Sequence, residues 1–553
     1  MTQRRDEVRD RADETVRGKK VRRRFSPVHG APVVVWLPAL VIALVMLLPL
    51  FYLFIRASQG RTDLFDMIWR ARTLELLRNT VQLAAIVTFF SVLISLPAAW
   101  LTSRTDLPWR RFWSVTLALP LAIPSYVGAY AIVAALGPRG LLQGWLETLL
   151  GIERLPAIYG LFGAALALTL LSYPYVYLTI NATIANMDNA LEEASMSMGH
   201  GPARTFWKVT LPLLRPAIAA GSLLVALYVF SDFGAVSLLQ YDSFTRAIYV
   251  QYTGSFDRTM AAGLALVLIG LTVTLLGIEA WLRGNAGYHR STAGAARPTR
   301  LIPLGRWKYP AMAYCVTVAG AALVIPISVI VYWLVRGVRA GEPLRLVWEA
   351  ALNSAYVSLL AAVAAVVLAV PVVVFSVRYP GLLSALVERA TYTGYALPGI
   401  VVALSLVFFG ANYAISLYQT TAMLVLAYVV LFMPQAVGAM RAALLQVSPH
   451  IEEAARSLGF NSPRVWLSVT GPLVRRGILS GALLVFLTVM KELPASLLLR
   501  PIGFNTLSTR IWGATSEGFW ARAAAPALIL IVISAIPMIV ISLRQSRNDA
   551  GGR

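Results

Sequence analysis

The chain has 553 residues, of which 58% are hydrophobic and only 13% are charged, and this composition excludes an ordinary soluble globular protein. The formal net charge of +22 would suit a nucleic-acid-binding protein, but the Lys and Arg residues lie mainly in an N-terminal tail and in short loops between apolar segments. Basic residues placed in this way mark the cytoplasmic side of a membrane and favour anionic lipid headgroups. We therefore predict an all-α, multi-pass membrane protein that contacts lipid and does not bind nucleic acid.

The N-terminal segment 1–32 carries ten Lys or Arg residues and no apolar periodicity, so a basic cytoplasmic tail is predicted there. The first apolar span, 33–55, follows this tail and lacks a small-residue cleavage site, which favours a retained transmembrane helix over a secretory signal. Each later span has the roughly 20 residues that a helix needs to cross a bilayer. In the first half these spans are predicted at 79–102, 112–136, 158–180, 214–238 and 260–282.

A polar segment, LEEASMSMGHGPARTFWKVTLPLLRPAI at 191–218, separates the fourth span from the fifth. Glu192 and Glu193 fall in the first turn of a short predicted helix, where the helix dipole favours negative charge. Gly199 suits the left-handed conformation that ends a helix, and Pro202 suits the start of another. We call this segment the first elbow and predict that its two short helices, joined at the glycine, lie on the cytoplasmic membrane surface.

A polar stretch rich in Gly and Ala at 284–308 is predicted to be a cytoplasmic linker between two repeats. The first repeat covers 33–283, the second covers 309–543, and a short cytoplasmic tail follows at 544–553. Spans in the second repeat are predicted at 310–335, 353–377, 389–411, 417–440, 477–499 and 521–543. About twelve spans place both termini in the cytoplasm and give the repeats the same orientation, which implies a pseudo-twofold axis along the membrane normal.

The second elbow, IEEAARSLGFNSPRVWLSVTGPLVRRGI at 451–478, aligns with the first elbow without a gap. Asp188 and Ser448 are the predicted N-cap residues of the two elbows. Shorter features also recur between the repeats: Asn79-Thr80 with Asn353-Ser354, Pro97 with Pro371, and Leu119-Pro120 with Leu397-Pro398. A duplicated polar segment at matching positions is strong evidence for an internal repeat.

Both elbows resemble the cytoplasmic coupling loop in permease subunits of ABC importers, whose signature is Glu-Ala-Ala, three residues, Gly, nine residues and Ile-x-Leu-Pro. The departures are small, because Ser195 replaces Ala, Gly471 replaces Leu and Val replaces Ile in both copies. The resemblance implies two type I permease subunits fused in one chain, with two copies of an ABC ATPase docked on the elbows. The residues implied for ATPase docking are Glu192, Glu193, Ala194, Gly199, Glu452, Glu453, Ala454 and Gly459.

Three other segments, at 119–130, 231–244 and 491–512, resemble fused ferric-iron permeases. This resemblance implies ferric iron as the substrate, while similar permeases for thiamine, phosphonate, sulfate or polyamines stay open as alternatives. A proton-coupled secondary transporter is an alternative of another class, because it also has twelve helices in two parallel repeats. It would need no ATPase and leaves the repeated elbow unexplained. A membrane scaffold without transport would leave the intramembrane charges unexplained.

The sequence contains no GxxxxGK[ST] phosphate-binding loop, so ATP is expected to bind a separate subunit, and we expect neither enzymatic activity nor a cofactor in this chain. The external loops, at roughly 20 residues, are too short for a domain with its own core. A separate periplasmic binding protein is therefore expected, and the chain is placed in the bacterial inner membrane. All four histidines lie in predicted cytoplasmic segments, so no firm metal site is expected.

Away from the ends of the predicted spans, three charged residues lie inside them, where charges are costly and usually face a cavity or a partner: Asp232, Lys491 and Glu492. One hypothesis is that they line the translocation path, because carboxylate oxygens suit a hard trivalent cation. The alternative is that Lys491 pairs with one or both carboxylates and holds the helices in register. Proline kinks are expected either to shape a gate or only to bend helices, at Pro120, Pro124 and Pro398.

Overall fold

The computed structural model describes residues 31–58, 69–137, 157–185, 190–254, 259–283, 301–342 and 345–551, together with positions 140, 141, 143, 147 and 187. Almost all of the predicted tail at 1–32 lies outside these residues, as do Asp188 and most of the predicted linker at 284–308. The described chain is helical and carries one isolated β-bridge, so the predicted all-α class is confirmed.

The described part of the first repeat contains eleven helices, which we number in chain order. They are α1 (Val33–Ser58), α2 (Ala71–Arg104), α3 (Arg110–Thr116), α4 (Ser125–Leu136), α5 (Leu161–Ala185), α6 (Ala190–Ser197), α7 (Pro202–Thr205), α8 (Leu211–Ser231), α9 (Gly234–Leu238), α10 (Phe244–Gly254) and α11 (Thr259–Arg283) within the described ranges. A 3-10 turn at Leu119–Ala122 follows α3, and a π-helical turn at Phe206–Thr210 joins α7 to α8.

The second repeat follows the same order. Its described helices are α12 (Lys308–Ala319), α13 (Ile325–Arg339), α14 (Arg345–Arg378), α15 (Leu382–Tyr392), α16 (Gly399–Tyr413), α17 (Thr421–Leu444), α18 (Pro449–Ser457), α19 (Ser462–Val465), α20 (Gly471–Lys491), α21 (Pro494–Leu499), α22 (Leu507–Ser516) and α23 (Trp520–Gly551). π-Helical turns at Gly320–Val324 and Trp466–Thr470 join α12 to α13 and α19 to α20. The last helix therefore continues through most of the predicted tail at 544–553.

Ten helical segments of the described chain are long and apolar enough to cross a membrane. The count reaches the predicted twelve when each of two sharply bent helix pairs is taken as one span. The bends are 93° between Arg110–Ala122 and Ser125–Leu136, and 106° between Leu382–Tyr395 and Gly399–Tyr413. The spans predicted at 112–136 and 389–411 are therefore not straight helices.

Each bend lies immediately before a helix whose N-cap is a proline, Pro124 for α4 and Pro398 for α16. A proline disfavours the helical conformation at the preceding residue, and Ile123 accordingly has the extended values φ −83° and ψ 119°. The predicted match between Leu119-Pro120 and Leu397-Pro398 is wrong, because Pro120 lies inside the 3-10 turn. The structural counterpart of Pro398 is Pro124.

Two further spans end earlier than predicted. The spans expected at 214–238 and 477–499 stop at Ser231 and Lys491, and the next residues, Asp232 and Glu492, are extended with ψ values of 124° and 126°. The short helices α9 and α21 then begin within two residues of these breaks. The intramembrane carboxylates therefore lie at helix breaks and not inside continuous helices.

The two repeats exchange contacts through their first helices. Tyr52 in α1 donates a hydrogen bond to the carbonyl oxygen of Phe408 in the second repeat (3.3 Å), and Ser405 donates to the carbonyl oxygen of Pro49 (2.9 Å). Conversely, the Tyr314 hydroxyl in α12 donates to the carbonyl oxygen of Ile94 in the first repeat (2.6 Å). The described repeats are thus packed into one body around a continuous apolar core.

The end of the predicted linker docks on the loop after α2. Ile302 forms a parallel bridge with Thr105, and the Asp106 carboxylate accepts hydrogen bonds from the Leu304 amide (2.8 Å) and from Lys308 (3.0 Å). The Leu304 amide and the Lys308 ammonium hold the pKa of Asp106 below its usual range. This contact fixes the start of the second repeat against the first.

We predict that Gly221→Val destabilises the protein, because a Cβ atom at Gly221 in α8 would lie 2.8 Å from the Cα atom of Val176 in α5. Overpacking of this kind typically costs about 1–3 kcal/mol. The matched control is Gly270→Val, since a Cβ atom at this exposed position in α11 meets nothing within 4 Å. Thermal unfolding of the detergent-purified variants is the measurement, and equal melting temperatures for both would contradict the close helix contact.

Candidate functional site

The two elbows have the predicted glycine turn. Gly199 and Gly459 have φ values of +84° and +90°, the left-handed conformation that favours glycine, and they follow helices α6 and α18 directly. The following helices begin at Pro202, as predicted, and at Ser462 in the second elbow. Ser448 occupies the predicted N-cap of α18, although its side chain makes no capping hydrogen bond.

The second helix of each elbow is not short, which corrects the sequence prediction. From Pro202 the chain continues through one π-helical turn into α8, and from Ser462 it continues in the same way into α20. Helical backbone therefore runs from each elbow to the break at Asp232 or Glu492. Thirty residues of helix span roughly 45 Å at 1.5 Å per residue.

The first glutamate of the second elbow faces the bundle. The Glu452 carboxylate accepts hydrogen bonds from Arg378 at the end of α14 (2.8 and 3.1 Å) and from the Thr470 hydroxyl (3.2 Å). The side chains of Arg378 and Glu452 are only 12% and 11% exposed. Arg378 also donates to the carbonyl oxygen of Val447, so one guanidinium fixes both the start of the elbow and its buried glutamate.

The first elbow repeats this arrangement. Glu192 lies 3.5 Å from Arg104 at the end of α2, and it accepts a hydrogen bond from the Thr210 hydroxyl (2.7 Å). Glu192 and Glu452 were both expected at the ATPase-docking surface, and the structure instead places them against the bundle. The reason is helical periodicity, because each lies three residues before a buried small residue, Ser195 or Ala455.

The outer face of each elbow carries the remaining predicted docking residues. Glu193, Ala194, Glu453 and Ala454 are all exposed, and so are both elbow glycines. Beside them lie large apolar side chains that the sequence prediction did not single out, at matching positions in the two copies: Leu191, Met198 and Trp207, and Ile451, Leu458 and Leu467. The sequence could have predicted these residues, since apolar side chains recur at the same positions in two otherwise polar segments.

The two elbows differ in their internal side-chain contacts. In the first, the Ser195 hydroxyl lies 3.2 Å from His200 Nδ1 and 3.0 Å from the Thr205 hydroxyl. In the second, the aligned residues are Ala455, Phe460 and Val465, whose side chains have no hydrogen-bonding group. The polar contacts of the first elbow therefore have no counterpart in the second.

Asp232 and Glu492 close the two helix breaks. Asp232 Oδ2 accepts hydrogen bonds from the backbone amides of Ala235 (3.0 Å) and Val236 (3.3 Å), and Glu492 Oε1 accepts one from the amide of Ala495 (3.1 Å). Each carboxylate lies one residue before the N-cap of a short helix, and these contacts satisfy backbone donors that would otherwise be unpaired in the membrane. The role of the two carboxylates in a translocation path stays a prediction.

Lys491 contacts the opposite repeat through a backbone oxygen. Its Nζ atom donates to the carbonyl oxygen of Leu121, 3.3 Å away in the 3-10 turn before Pro124. Among the ion pairs of the described residues, none joins Lys491 to Asp232 or Glu492. The ion pair that was the alternative interpretation of these charges is therefore not formed among the described residues, where both carboxylates accept from backbone amides.

A cavity of about 440 Å³ lies between the repeats at the end of the bundle opposite the elbows, and we call it the inter-repeat cavity. Tyr249 and Trp512 line it, and both rings pack on Phe233, with ring centres 4.8 and 5.0 Å away. Phe233 directly follows Asp232, so an aromatic cluster separates this cavity from the helix breaks. The described chain contains no group of three or more His, Cys, Asp or Glu residues that could hold a metal ion.

Comparison with known proteins places these features in a family. The family described as binding-protein-dependent transport system inner membrane component matches residues 91–286 and 361–548. The Fe(3+)-transport system permease protein FbpB 2 of Haemophilus influenzae is 34% identical over 513 residues, which cover 92% of this chain and 97% of that protein.

Other relatives match a smaller part of the chain. The molybdenum transport system permease protein ModB of Mycobacterium bovis is 29% identical over 249 residues, which cover 44% of this chain and 92% of that protein. The probable sulfate transport system permease protein cysT of Marchantia polymorpha is 26% identical over 196 residues, which cover 35% and 67% respectively.

We predict that Glu452→Ala and Glu453→Ala have different effects, although the residues are adjacent. Glu452→Ala leaves the buried Arg378 without its counter-charge, which typically costs about 3 kcal/mol. Glu453 is exposed and forms an ion pair with the exposed His450, so Glu453→Ala should leave stability nearly unchanged. Thermal unfolding in detergent compares them, and a similar loss of stability in both variants would argue against the inward orientation of Glu452.

Proposed function

Because the chain belongs to the family of binding-protein-dependent transport system inner membrane components, we propose that it is the fused permease of an ATP-driven importer of ferric iron. The observation that carries this proposal is the match to an Fe(3+)-transport permease along 97% of that protein's length, which includes both repeats. The chain is a multi-pass membrane protein and a transport component, and its working partners are an ATPase and a substrate-binding protein.

The charge near the helix breaks supports a cation over an oxyanion. Asp232 and Glu492 each accept these backbone hydrogen bonds with one carboxylate oxygen, and the second oxygen of each accepts none of them. Hard oxygen ligands suit ferric iron, and Tyr126 and Tyr228 lie close to these carboxylates. Sulfate and molybdate are oxyanions, which carboxylate oxygens do not coordinate. The relatives that carry those names also match less than half of this chain.

The elbows supply the proposed link to ATP hydrolysis. One ATPase copy docks on each elbow through Glu193 or Glu453 and the exposed apolar side chains beside it. The helix that leaves each elbow ends at a capped break, so a displacement of the elbow would be transmitted along one helix to Asp232 or Glu492. ATP is bound by the partner subunits, and this chain contributes no cofactor and no catalytic residue. Both termini lie in the cytoplasm, and the binding protein docks at the opposite end.

We predict that ferric iron uptake requires the charges of Asp232 and Glu492. Asn and Gln keep an oxygen that accepts the capping hydrogen bonds, so Asp232→Asn with Glu492→Gln should preserve assembly and thermal stability. Loss of a charge–cation interaction worth more than about 1.4 kcal/mol lowers uptake at least about tenfold. The measurement is uptake of radioactive ferric iron into proteoliposomes that contain the permease, its ATPase and its binding protein.

The same assay tests the proposed function. The wild-type system should accumulate ferric iron only when ATP and both partners are present. Uptake driven by a proton gradient without the ATPase would instead favour a secondary transporter, and normal uptake by the double variant would place the path elsewhere.

We predict that Gly459→Val and Glu453→Lys uncouple ATP hydrolysis from transport. A β-branched residue at the left-handed position of Gly459 costs on the order of 1 kcal/mol or more and redirects the docking helix. Glu453→Lys reverses an exposed charge at the proposed docking surface. The corresponding changes at Gly199 and Glu193 should also be harmful.

The control is Gly201→Val, because Gly201 lies in the first elbow in open space and without a positive φ. Transport, ATPase stimulation and ATPase pull-down are measured for each variant. Wild-type values for all of them would mean that the elbows are only solvated connections.

A further inference from the structure

A second cavity, of about 490 Å³, lies in the second repeat at the end of the bundle opposite the elbows, and we call it the basic cavity. One wall is apolar and includes Leu334 and Val338 of α13 and Pro526 of α23. Val338 is 51% exposed and lies at the end of a membrane-spanning segment, so the cavity borders the lipid-facing side of the protein. The other wall carries the guanidinium groups of Arg500, Arg510 and Arg522.

Among the described residues, two of these three arginines have no carboxylate partner. Arg522 pairs with Glu342 (3.1 Å), but within the described ranges Arg500 donates only to the neutral amide oxygen of Asn505. The guanidinium of Arg510 has no hydrogen bond or ion pair to any residue that the structure describes. Burial and the neighbouring charge of Arg510 both lower the pKa of Arg500.

The first repeat provides an internal comparison. Asn79 donates to the backbone carbonyl of Asp242 at 3.1 Å, and Asn353 donates to the backbone carbonyl of Asn505 at the same distance, so Asp242 and Asn505 are structural counterparts. The Asp242 carboxylate pairs with Arg72 (2.8 Å) and with Arg246. At the matching position of the second repeat, Asn505 has a neutral side-chain amide in place of the carboxylate.

The basic cavity therefore lacks the built-in counter-charge that the first repeat has. The nearest remaining acid on its lining, Glu517, is exposed and forms no ion pair in the described part of the chain. Two positive groups next to an open cavity without a carboxylate between them favour an anion from outside the protein.

We propose that the basic cavity binds a phosphate group between Arg500 and Arg510. Guanidinium groups bind phosphate oxygens through paired, charge-assisted hydrogen bonds. The phosphate comes either from the headgroup of an anionic phospholipid or from free phosphate. The apolar wall at Leu334 and Val338 fits an acyl chain, which favours the lipid. This site is independent of the transported substrate.

The test uses the full-length chain, delipidated in detergent, with Asn505→Asp as the central variant. This change places a carboxylate where the first repeat has Asp242 and keeps the oxygen that accepts from Arg500, so the fold should be preserved while the ligand is displaced. Arg510→Gln removes one of the binding groups. The control is Arg72→Gln, which removes the same charge from the neutralised cluster of the first repeat.

Binding of phosphatidylglycerol is measured by native mass spectrometry, and binding of inorganic phosphate by equilibrium dialysis. We expect Asn505→Asp and Arg510→Gln to weaken binding about tenfold or more, the loss that accompanies removal of a charged hydrogen bond, and Arg72→Gln to bind like the wild type. An effect on phosphatidylglycerol identifies the lipid as the source, and an effect on inorganic phosphate alone identifies free phosphate.

Three results would overturn the proposal. The first is equal binding of both probes by all four proteins, and the second is an equal loss in Arg72→Gln, which would indicate only general electrostatics. The third is an equal loss of diacylglycerol, which has the same chains without the phosphate, because the cavity would then be an apolar site.

Discussion

The structure depends on one constraint, that a backbone N–H group inside a membrane must find a partner within the protein. Two long helices stop within the bundle, at Ser231 and Lys491. At these breaks, Asp232 and Glu492 meet the constraint by accepting hydrogen bonds from backbone amides in the first turns of α9 and α21. Without these caps the breaks would carry unpaired donors in a medium that offers no water. The same residues thereby place two carboxyl groups deep in the protein.

Each elbow is held against the bundle by a partly or fully buried ion pair. Arg104 and Arg378 end the long helices α2 and α14, and each holds the first glutamate of an elbow against the bundle. A buried ion pair adds little net stability over an apolar contact, but the loss of one partner is costly, which makes the pair a strong determinant of position. The second glutamate of each elbow stays exposed, so one Glu-Glu pair provides both an anchor and a surface charge.

The repeats are similar in sequence, yet they are not independent units. Helix α1 packs on α16 of the second repeat, and α12 packs on α2 of the first, so each repeat supplies a helix to the other. Fusion in one chain favours this exchange, because the linker holds the start of the second repeat against the first through the contact between Ile302 and Thr105. Differences between the copies, such as Ser195 for Ala455 and Asp242 for Asn505, then give the two halves distinct local chemistry within one body.

The sequence by itself determined the membrane class, the duplication, the elbow glycines and the family resemblance, because apolar length, exact internal repetition and a left-handed glycine are local properties of the chain. It did not determine which way Glu192 and Glu452 point, since each carboxylate is held by an arginine from a distant helix, Arg104 or Arg378. It also misplaced the breaks at Asp232 and Glu492, because hydropathy continues through them into α9 and α21. Only the tertiary structure decided these points, since it brings Arg104 and Arg378 from distant helices to the elbows and ends the two long helices within the bundle.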